Sequence, residues 1–287
     1  MRAAARETGF GGMSRNSVNT NYGAMVALSA LNAVNRELSA TQNRISTGLK
    51  IASAKDNPAV WAIAQNARAE SKSLDAVKAS LQRGQSIVDV ALSAGETISD
   101  ILVQMREKAV AATEPGLSTA SRRALYDDYA GLLEEIGTIA ANAQFDGVNL
   151  ISAGSQGAVR AIANADASST IDVEHVDLSI TGSVLAGAIP VMMGSVAHVQ
   201  LSALDDTMKR VSSVLSKLGV GGKALDRHLD FVEKLQDTID AGVGNLVDAD
   251  IAKESARLQA LQVKQQLAIQ ALTIANSAPS ILLGLFR

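Results

Sequence analysis

Apolar residues recur at alternating intervals of four and three positions along most of the chain, which is the heptad pattern of packed helices. The first such run comprises Ala24, Leu28, Leu31, Leu38, Ile45 and Leu49. Asn35 and Gln42 occupy two further positions of the same run. Either the helix twists so that these amides face water, or they are buried and fix the register between two helices.

A second and longer heptad run begins after Pro58 and continues to Ala109, which predicts one helix of about 50 residues. Pro58 suits the first turn of a helix, and Asp56 or Asn57 can cap it. The sequence TEPGLST at 113–119 ends this helix because it contains adjacent Pro and Gly. A third helix is predicted over 120–143.

The helical pattern disappears between residues 152 and 194. Residues 159–163 and 170–180 alternate apolar and polar side chains as strands do. Asp146–Gly147, just before this insert, is a strong turn dipeptide. We expect at most a hairpin or a small β cap here.

Heptad runs return after the insert, first over 201–218 and then over 225–246. The sequence GVGG at 219–222 is predicted to separate them. Gly242 and Gly244 each weaken a helix by about 0.5–1 kcal/mol, so a bend or a close backbone contact is expected there. A last helix follows from residue 250, and Pro279 should interrupt it.

These elements predict a mainly α fold. Helices from the two chain ends pack as a long antiparallel coiled coil or bundle, a rod with a small β-rich insert at its tip. Aromatic residues make up only 3% of the 287 residues, which suits thin helical packing. The chain has no cysteine, so disulfides and thiolate metal sites are excluded.

Charge and hydropathy exclude two further classes of partner. The formal net charge of -3 argues against binding driven by nucleic-acid phosphates. No run of 18 apolar residues is present, so no membrane insertion is expected. Residues 1–16 lack the apolar core of a Sec-type signal peptide and are predicted to be a flexible extension, with Met13 as an alternative start.

The residues offer no chemistry typical of an enzyme. His175, His198 and His228 are isolated from one another, so neither a metal site nor another cofactor site is expected. Nucleophile and phosphate-binding motifs are missing, and the paired carboxylates are sequence neighbours that point apart on a helix.

The segment between the first two helices is predicted to be a specified joint. Thr47–Gly48 weakens the first helix, and the Asp56–Asn57 pair restarts the second. Arg44, Lys50 and Lys55 give the joint a basic face. This face could meet the acidic stretch around Asp248 and Asp250.

The apolar chain ends predict self-assembly. Two paired helices cover only part of each other, so the remaining apolar stripe must meet neighbouring subunits or a bilayer. Contacts that do not close on themselves build helical filaments. The residues alone therefore favour a structural subunit that polymerises.

Three stretches resemble the bacterial flagellins. The sequence NSVNTNYGAMVALSALNAVNRELSATQNRISTGLKIASAKDNPAVWAIA resembles their N-terminal signature, and AQFDGVNLI resembles the segment that closes their N-terminal region. Residues 229–287 resemble their C-terminal region. In detail, the chain is most similar to the short flagellins of alphaproteobacteria.

The resemblance implies a division of the chain. Residues 17–58 would form an inner-core helix and joint, paired with an inner-core helix over 250–287. Residues 59–151 and 195–249 would form the two halves of a surrounding rod domain, and the insert 152–194 would replace larger outer domains.

The resemblance also implies functional residues. An inner-core interface for polymerisation would comprise Leu28, Leu31, Leu38, Ile45, Leu258, Leu261, Leu267, Leu272, Leu282, Leu285 and Phe286. Contacts between subunits at the joint would involve Arg44, Lys50, Lys55, Asp56, Asn57, Asp248 and Asp250.

The implied function is that of the subunit of the extracellular flagellar filament used for swimming. Such subunits leave the cell through the flagellar type III apparatus. Their implied partners are further copies of the chain, hook-associated and cap proteins, and an export chaperone.

One departure from the family concerns the vertebrate Toll-like flagellin receptor. Many flagellins have Arg and Leu where this chain has Gln104 and Lys108. Arg106 and Asp128 occupy the other receptor-equivalent positions. We expect weak or no recognition.

Two alternatives share the predicted helical architecture. One is a hook–filament junction protein, which joins filaments and does not propagate them. The other is a secreted adhesin or polysaccharide-binding surface protein that uses the insert.

Overall fold

The computed structural model describes residues 20–154, 158–185 and 197–284, and the side chains of 197–200 and 278–284 lie outside this description. The described helices are α1 (Tyr22–Thr47), α2 (Pro58–Ala111), α3 (Thr119–Asn142), α4 (Ala197–Val247) and α5 (Ile251–Gly284). The short strands are β1 (Gln144–Phe145), β2 (Val148–Asn149), β3 (Val159–Ile162) and β4 (Thr170–Val173). The expected mainly α fold is confirmed. The predicted extension 1–16, with Met13, lies outside the described residues.

The chain divides into two compact units. The terminal unit contains the residues through Asn66 and those from Ala241 onward, and the central unit is Ala67–Asp240.

The helix pair α1–α5 forms the terminal unit's main packing. Its cross-contacts join Asn21 to Ala275, Asn35 to Gln265 and Arg44 to Glu254, so the helices run antiparallel. Asn21 caps α1 at its start, and Gly48, at φ 71°, ends it in the left-handed region that glycine favours.

The face of α1 that meets α5 differs from the predicted run at two positions, Leu28 and Gln42. Leu28 is 48% exposed and Gln42 is exposed, whereas Thr41 is buried. Ala27 is half-buried beside the exposed Leu28. The covered row still repeats every seven residues, as Ala27 and Thr41 show with Leu31 and Leu38, but it is the row next to the one that contains Leu28 and Gln42.

The two amide side chains of the predicted run, Asn35 and Gln42, lie in different environments. Asn35 is half-buried, and its Oδ1 accepts a hydrogen bond of 2.8 Å from Gln265 Nε2. Asn35 therefore matches the register interpretation, and Gln42 matches the solvated one.

The central unit buries the predicted heptad face of α2. From Leu74 to Ala109 its positions are buried, and they pack against α3 and α4 around a fully buried Tyr129. A salt bridge of 2.7 Å joins Arg106 Nε to Asp205 Oδ1. Together with Gln85, which donates to Asp226, it shows that α2 and α4 are antiparallel.

The predicted break at 219–222 is wrong, because α4 is continuous across it. Leu218 and Leu225 are both buried and lie one heptad apart, so the apolar face keeps its phase through the glycines. A Cβ at Gly221 would lie 3.0 Å from Val173 Cγ1, which shows how closely β4 approaches. Packing of this kind outweighs the low helix propensity of glycine.

Two further expectations concern Gly244 in α4 and Pro279 in α5. At Gly244 the expected close contact is with a side chain, since a Cβ there would lie 2.8 Å from Asp248 Oδ2. The predicted interruption at Pro279 is wrong, because α5 continues to Gly284. Proline removes one intrahelical donor to Ala275 O, and that carbonyl accepts instead from Asn21 Nδ2 at 2.6 Å.

The insert forms the predicted hairpin. β3 and β4 pair antiparallel, although the second strand ends at Val173 and does not reach residue 180. The smaller β1–β2 hairpin turns at Asp146 and Gly147, whose φ angles of 51° and 77° match a type I′ turn.

The described part of the insert is built into the helical core and does not project as a tip. Val159, Ala161 and Val173 belong to the core of the central unit. Ile162 N donates to Ser80 Oγ at 3.0 Å, and His228 Nε2 lies 2.6 Å from Ala163 O. The hairpin therefore packs beside the middle of α2 and α4.

Candidate functional site: the outer faces of the terminal helices

The inner face of α5 follows a strict heptad. Its half-buried or buried positions are Glu254, Leu258, Leu261, Gln265, Ala268, Leu272 and Ala275. On α1, the half-buried positions include Leu31, Leu38 and Ile45. These predicted interface leucines and isoleucine thus lie on the faces that α1 and α5 present to each other within one chain.

Other apolar side chains of α5 remain in solvent. Val263, Leu267 and Ile274 are spaced by four and seven residues, so they share one face of the helix, opposite to Leu261. They are 56%, 58% and 70% exposed. Apolar residues thus surround α5, as in helices that are covered on all sides.

The start of α1 shows the same pattern. Tyr22, Met25, Val26 and Leu28 are each about half exposed. Ile269 on α5 is likewise exposed. We call these five residues, with Val263, Leu267 and Ile274, the outer apolar surface. The predicted residues Leu285 and Phe286, and the Leu282 side chain, lie outside the described residues.

Exposed apolar side chains on the outer faces of both paired helices are typical of a surface that contacts another molecule. Complete burial of one such side chain contributes about 1.5–3 kcal/mol. At their present exposures, complete burial of Val263, Leu267 and Ile274 would contribute about 3–5 kcal/mol per subunit.

The joint at 48–57 is a structured connection. Leu49 and Asp248 form an isolated antiparallel bridge. Lys50 N donates to Val247 O at 2.6 Å, and Ala249 N donates to Gly48 O at 2.8 Å. The joint is therefore tied to the α4–α5 connection by backbone hydrogen bonds.

Asp56 organises the turn before α2. One carboxylate oxygen accepts from the backbone N–H groups of Ser53 and Ala52, at 3.0 and 3.1 Å, and from the Ser53 hydroxyl. The Ser53 hydrogen bonds hold the pKa of Asp56 below its usual 3.8. Asn57 is the N-cap, because its Oδ1 accepts from Val60 N at 3.2 Å.

The charges of the joint do not meet the expected partners. Arg44 Nη1 lies 3.5 Å from Glu254 Oε1. Among the described residues, no salt bridge joins Lys50 or Lys55 to Asp248 or Asp250. The Asp250 carboxylate instead caps α5, accepting from Lys253 N at 3.1 Å.

Glu254, the ion-pair partner of Arg44, is a residue that the sequence analysis did not identify. It is 8% exposed, and its Oε2 is buried without a hydrogen-bond partner among the described atoms. The signal was available, because Glu254 stands four positions before Leu258 on the same heptad face.

Of the four positions that the resemblance equates with receptor contacts, Arg106, Lys108 and Asp128 form ion pairs within the chain. Lys108 Nζ lies 2.9 Å from Asp128 Oδ2, and this hydrogen bond raises the pKa of Lys108. The hydrogen bond from Arg106 to Asp205 likewise raises the pKa of Arg106. Gln104 is exposed.

The described residues hold neither a group of three or more potential metal ligands nor a helix that is long and apolar enough to span a bilayer.

Comparison with known proteins gives matches over most of the chain. Residues 18–156 match the family model of the bacterial flagellin N-terminal helical region, and 201–286 match that of the C-terminal helical region. Flagellin FljN of Caulobacter vibrioides is 50% identical over 275 residues, covering 96% of this chain and all of the relative. A flagellin of Brucella melitensis is 36% identical, covering 94% of this chain and 99% of the relative. The crystal structure of Bacillus cereus flagellin aligns with a TM-score of 0.47 at 21% identity, covering 52% of this chain and 86% of that one.

Proposed function

The chain belongs to the bacterial flagellin family and is a structural subunit of the extracellular flagellar filament, and on this premise we propose that the outer apolar surface is a contact through which its subunits assemble. The expected similarity to alphaproteobacterial flagellins is confirmed. The observation that carries the proposal is the exposure of Val263, Leu267 and Ile274 on the face of α5 turned away from α1.

Assembly buries this surface against neighbouring subunits and requires no change in the fold of the subunit. The driving force is non-directional, so the geometry of the helices must set the arrangement of neighbours. When a surface on one copy meets a different surface on the next and the rotation does not close a ring, such contacts propagate as a filament. Switching between filament and monomer then depends on protein concentration.

The test is seeded polymerisation of the purified full-length protein, followed by electron microscopy. Ile274→Glu adds a charge where Ile274 is 70% exposed. We expect the critical concentration to rise at least tenfold, because the variant loses apolar burial and introduces an unpaired charge. Gln82→Glu is the matched control, since it adds the same charge at an exposed position of α2 in the central unit, which holds no residue of the outer apolar surface.

Normal filaments from Ile274→Glu would reject this surface as an assembly contact. A coarser companion is deletion of Leu267–Arg287, which should leave a soluble protein that does not polymerise. Filaments from that truncation would show that assembly does not need the part of α5 from Leu267 onward.

The joint is proposed as a second contact between subunits. Arg44, Lys50, Lys55, Asp56, Asn57, Asp248 and Asp250 are the residues assigned to it. Lys55 is exposed and has no ion pair among the described residues, which supports a partner on a neighbouring copy. Lys55→Glu should therefore impair polymerisation and swimming, and unchanged behaviour in both would show that this charge is only solvated.

We assign no enzymatic activity to the chain. Its proposed partners are those that the family uses. These are the hook-associated and cap proteins and an export chaperone, with export through the flagellar type III apparatus. Loss of the extracellular protein in cells that lack this apparatus, with normal synthesis inside them, is the expected result.

Recognition by the vertebrate Toll-like receptor is proposed to be weak or absent. Gln104 and Lys108 replace the Arg and Leu of recognised flagellins, and Lys108 is engaged by Asp128. A strong response of receptor-bearing cells to purified monomer would contradict this.

A further inference from the structure

The end of the α1–α5 pair contains a proline inside a helix. α5 runs from Ile251 to Gly284 and includes Pro279. In an α-helix the N–H of each residue donates to the carbonyl four positions earlier, and proline has no N–H. The carbonyl of Ala275 therefore lacks its intrahelical donor.

The side chain of Asn21 supplies a donor to this carbonyl. Asn21 Nδ2 lies 2.6 Å from Ala275 O, although the residues are 254 positions apart in sequence. The oxygen of the same amide accepts from Ala24 N at 3.0 Å and so caps α1. One amide thus serves the start of α1 and the carbonyl left open in α5.

The two helices are in contact beside this hydrogen bond. Gly23 has no side chain, and a Cβ there would lie 3.8 Å from the Ala275 Cβ and 3.5 Å from Asn21 Oδ1. These are ordinary van der Waals distances, so α1 and α5 pack against each other beside the hydrogen bond. Because Asn21 is half-buried, water is a poor substitute for the bond.

We propose that Asn21 is a positioning residue that replaces the backbone donor removed by Pro279 and thereby fixes the register of α1 on α5. The adjacent residues Tyr22 and Ile274 belong to the outer apolar surface, so the same bond sets their relative position. This inference rests on the proposed role of the helix pair in assembly. It couples two residues at opposite ends of the chain that would otherwise act independently.

A double-mutant cycle on the full-length chain tests the coupling. Asn21→Ser retains a good N-cap but is one bond too short to reach Ala275 O. Pro279→Ala restores the N–H and so satisfies that carbonyl within α5. The readout is the critical concentration for seeded polymerisation of the four proteins.

In the natural background, Asn21→Ser should raise the critical concentration roughly fivefold, the value of one buried hydrogen bond. In the Pro279→Ala background the same substitution should change it less than about twofold. Asn21→Asp, which also keeps the cap and removes the donor, should follow Asn21→Ser. Equal effects in both backgrounds, or no effect in the natural one, would overturn the proposal.

Ile274→Glu in the same assay separates the two proposals. If it blocks assembly while Asn21→Ser shows no coupling to Pro279, the register role fails and the outer apolar surface stands. If Ile274→Glu assembles normally while the cycle shows coupling, the surface fails and the register role stands, because the cycle reads formation of the helix pair whichever outward face makes the contact.

Discussion

Two glycines of α4, Gly219 and Gly221, should respond differently to alanine. They lie two positions apart in the same continuous helix, so replacing either one removes the same helix penalty of about 0.5–1 kcal/mol. A Cβ at Gly219 meets no atom within 4 Å. Gly219→Ala should therefore stabilise the central unit by about that amount.

At Gly221 the added methyl group meets the β4 hairpin. The new Cβ would lie 3.0 Å from Val173 Cγ1 and 3.1 Å from Cγ2. Val173 is β-branched, 4% exposed and paired with Val159, so it has little freedom to move. Overpacking of this kind costs about 1–3 kcal/mol, which offsets or exceeds the helix gain. Gly221→Ala should therefore be about 1–3 kcal/mol less stable than Gly219→Ala.

Urea unfolding of the full-length proteins, followed by far-ultraviolet circular dichroism, measures this difference. The midpoints should differ while the slopes agree, since neither change alters the surface exposed on unfolding. Adding Val173→Ala makes room for the methyl group, so Gly221→Ala should become stabilising in that background. A Gly221→Ala variant as stable as Gly219→Ala in the natural background would refute the close packing of hairpin and helix.

Two other residues give further predictions. Asn149 is 8% exposed, donates to Ala140 O at 2.8 Å and accepts from Ile151 N at 2.8 Å. Asn149→Ala should therefore lower the free energy of unfolding, measured by thermal denaturation, by roughly 2–4 kcal/mol. A decrease below about 0.5 kcal/mol would contradict this. Asp56 has a folded-state pKa below 3.8, so its stabilisation of the joint is complete above that pH and is lost as the pH falls through the depressed value. Hydrogen exchange at Ser53 N should quicken over that range beyond the intrinsic rate, and Asp56→Asn should abolish this dependence.

Several features could be predicted because they depend on neighbours in sequence. The buried face of α2 from Leu74 to Ala109 follows from the heptad spacing alone. The turn at Asp146–Gly147 follows from two residues that tolerate positive φ. The end of α1 at Gly48 is equally local.

Partners distant in sequence decided the features that were missed. Arg44 pairs with Glu254, 210 residues away, and not with Asp248 or Asp250. Leu28 faces solvent because α5 covers a neighbouring row of α1. No local sequence pattern predicts these contacts, since each depends on which surface another helix presents.

The sequence by itself determined that most of the chain is helical, where α1 ends, where the chain turns at Asp146–Gly147, and that apolar surface remains at its ends. The tertiary structure alone decided that α4 continues through Gly221 and that α5 continues through Pro279. Local propensities amount to about 1 kcal/mol for glycine and about 3 kcal/mol for proline. Contacts such as Val173 against Gly221 and Asn21 against Ala275 come from remote parts of the chain, and together with the surrounding packing they outweigh these local costs.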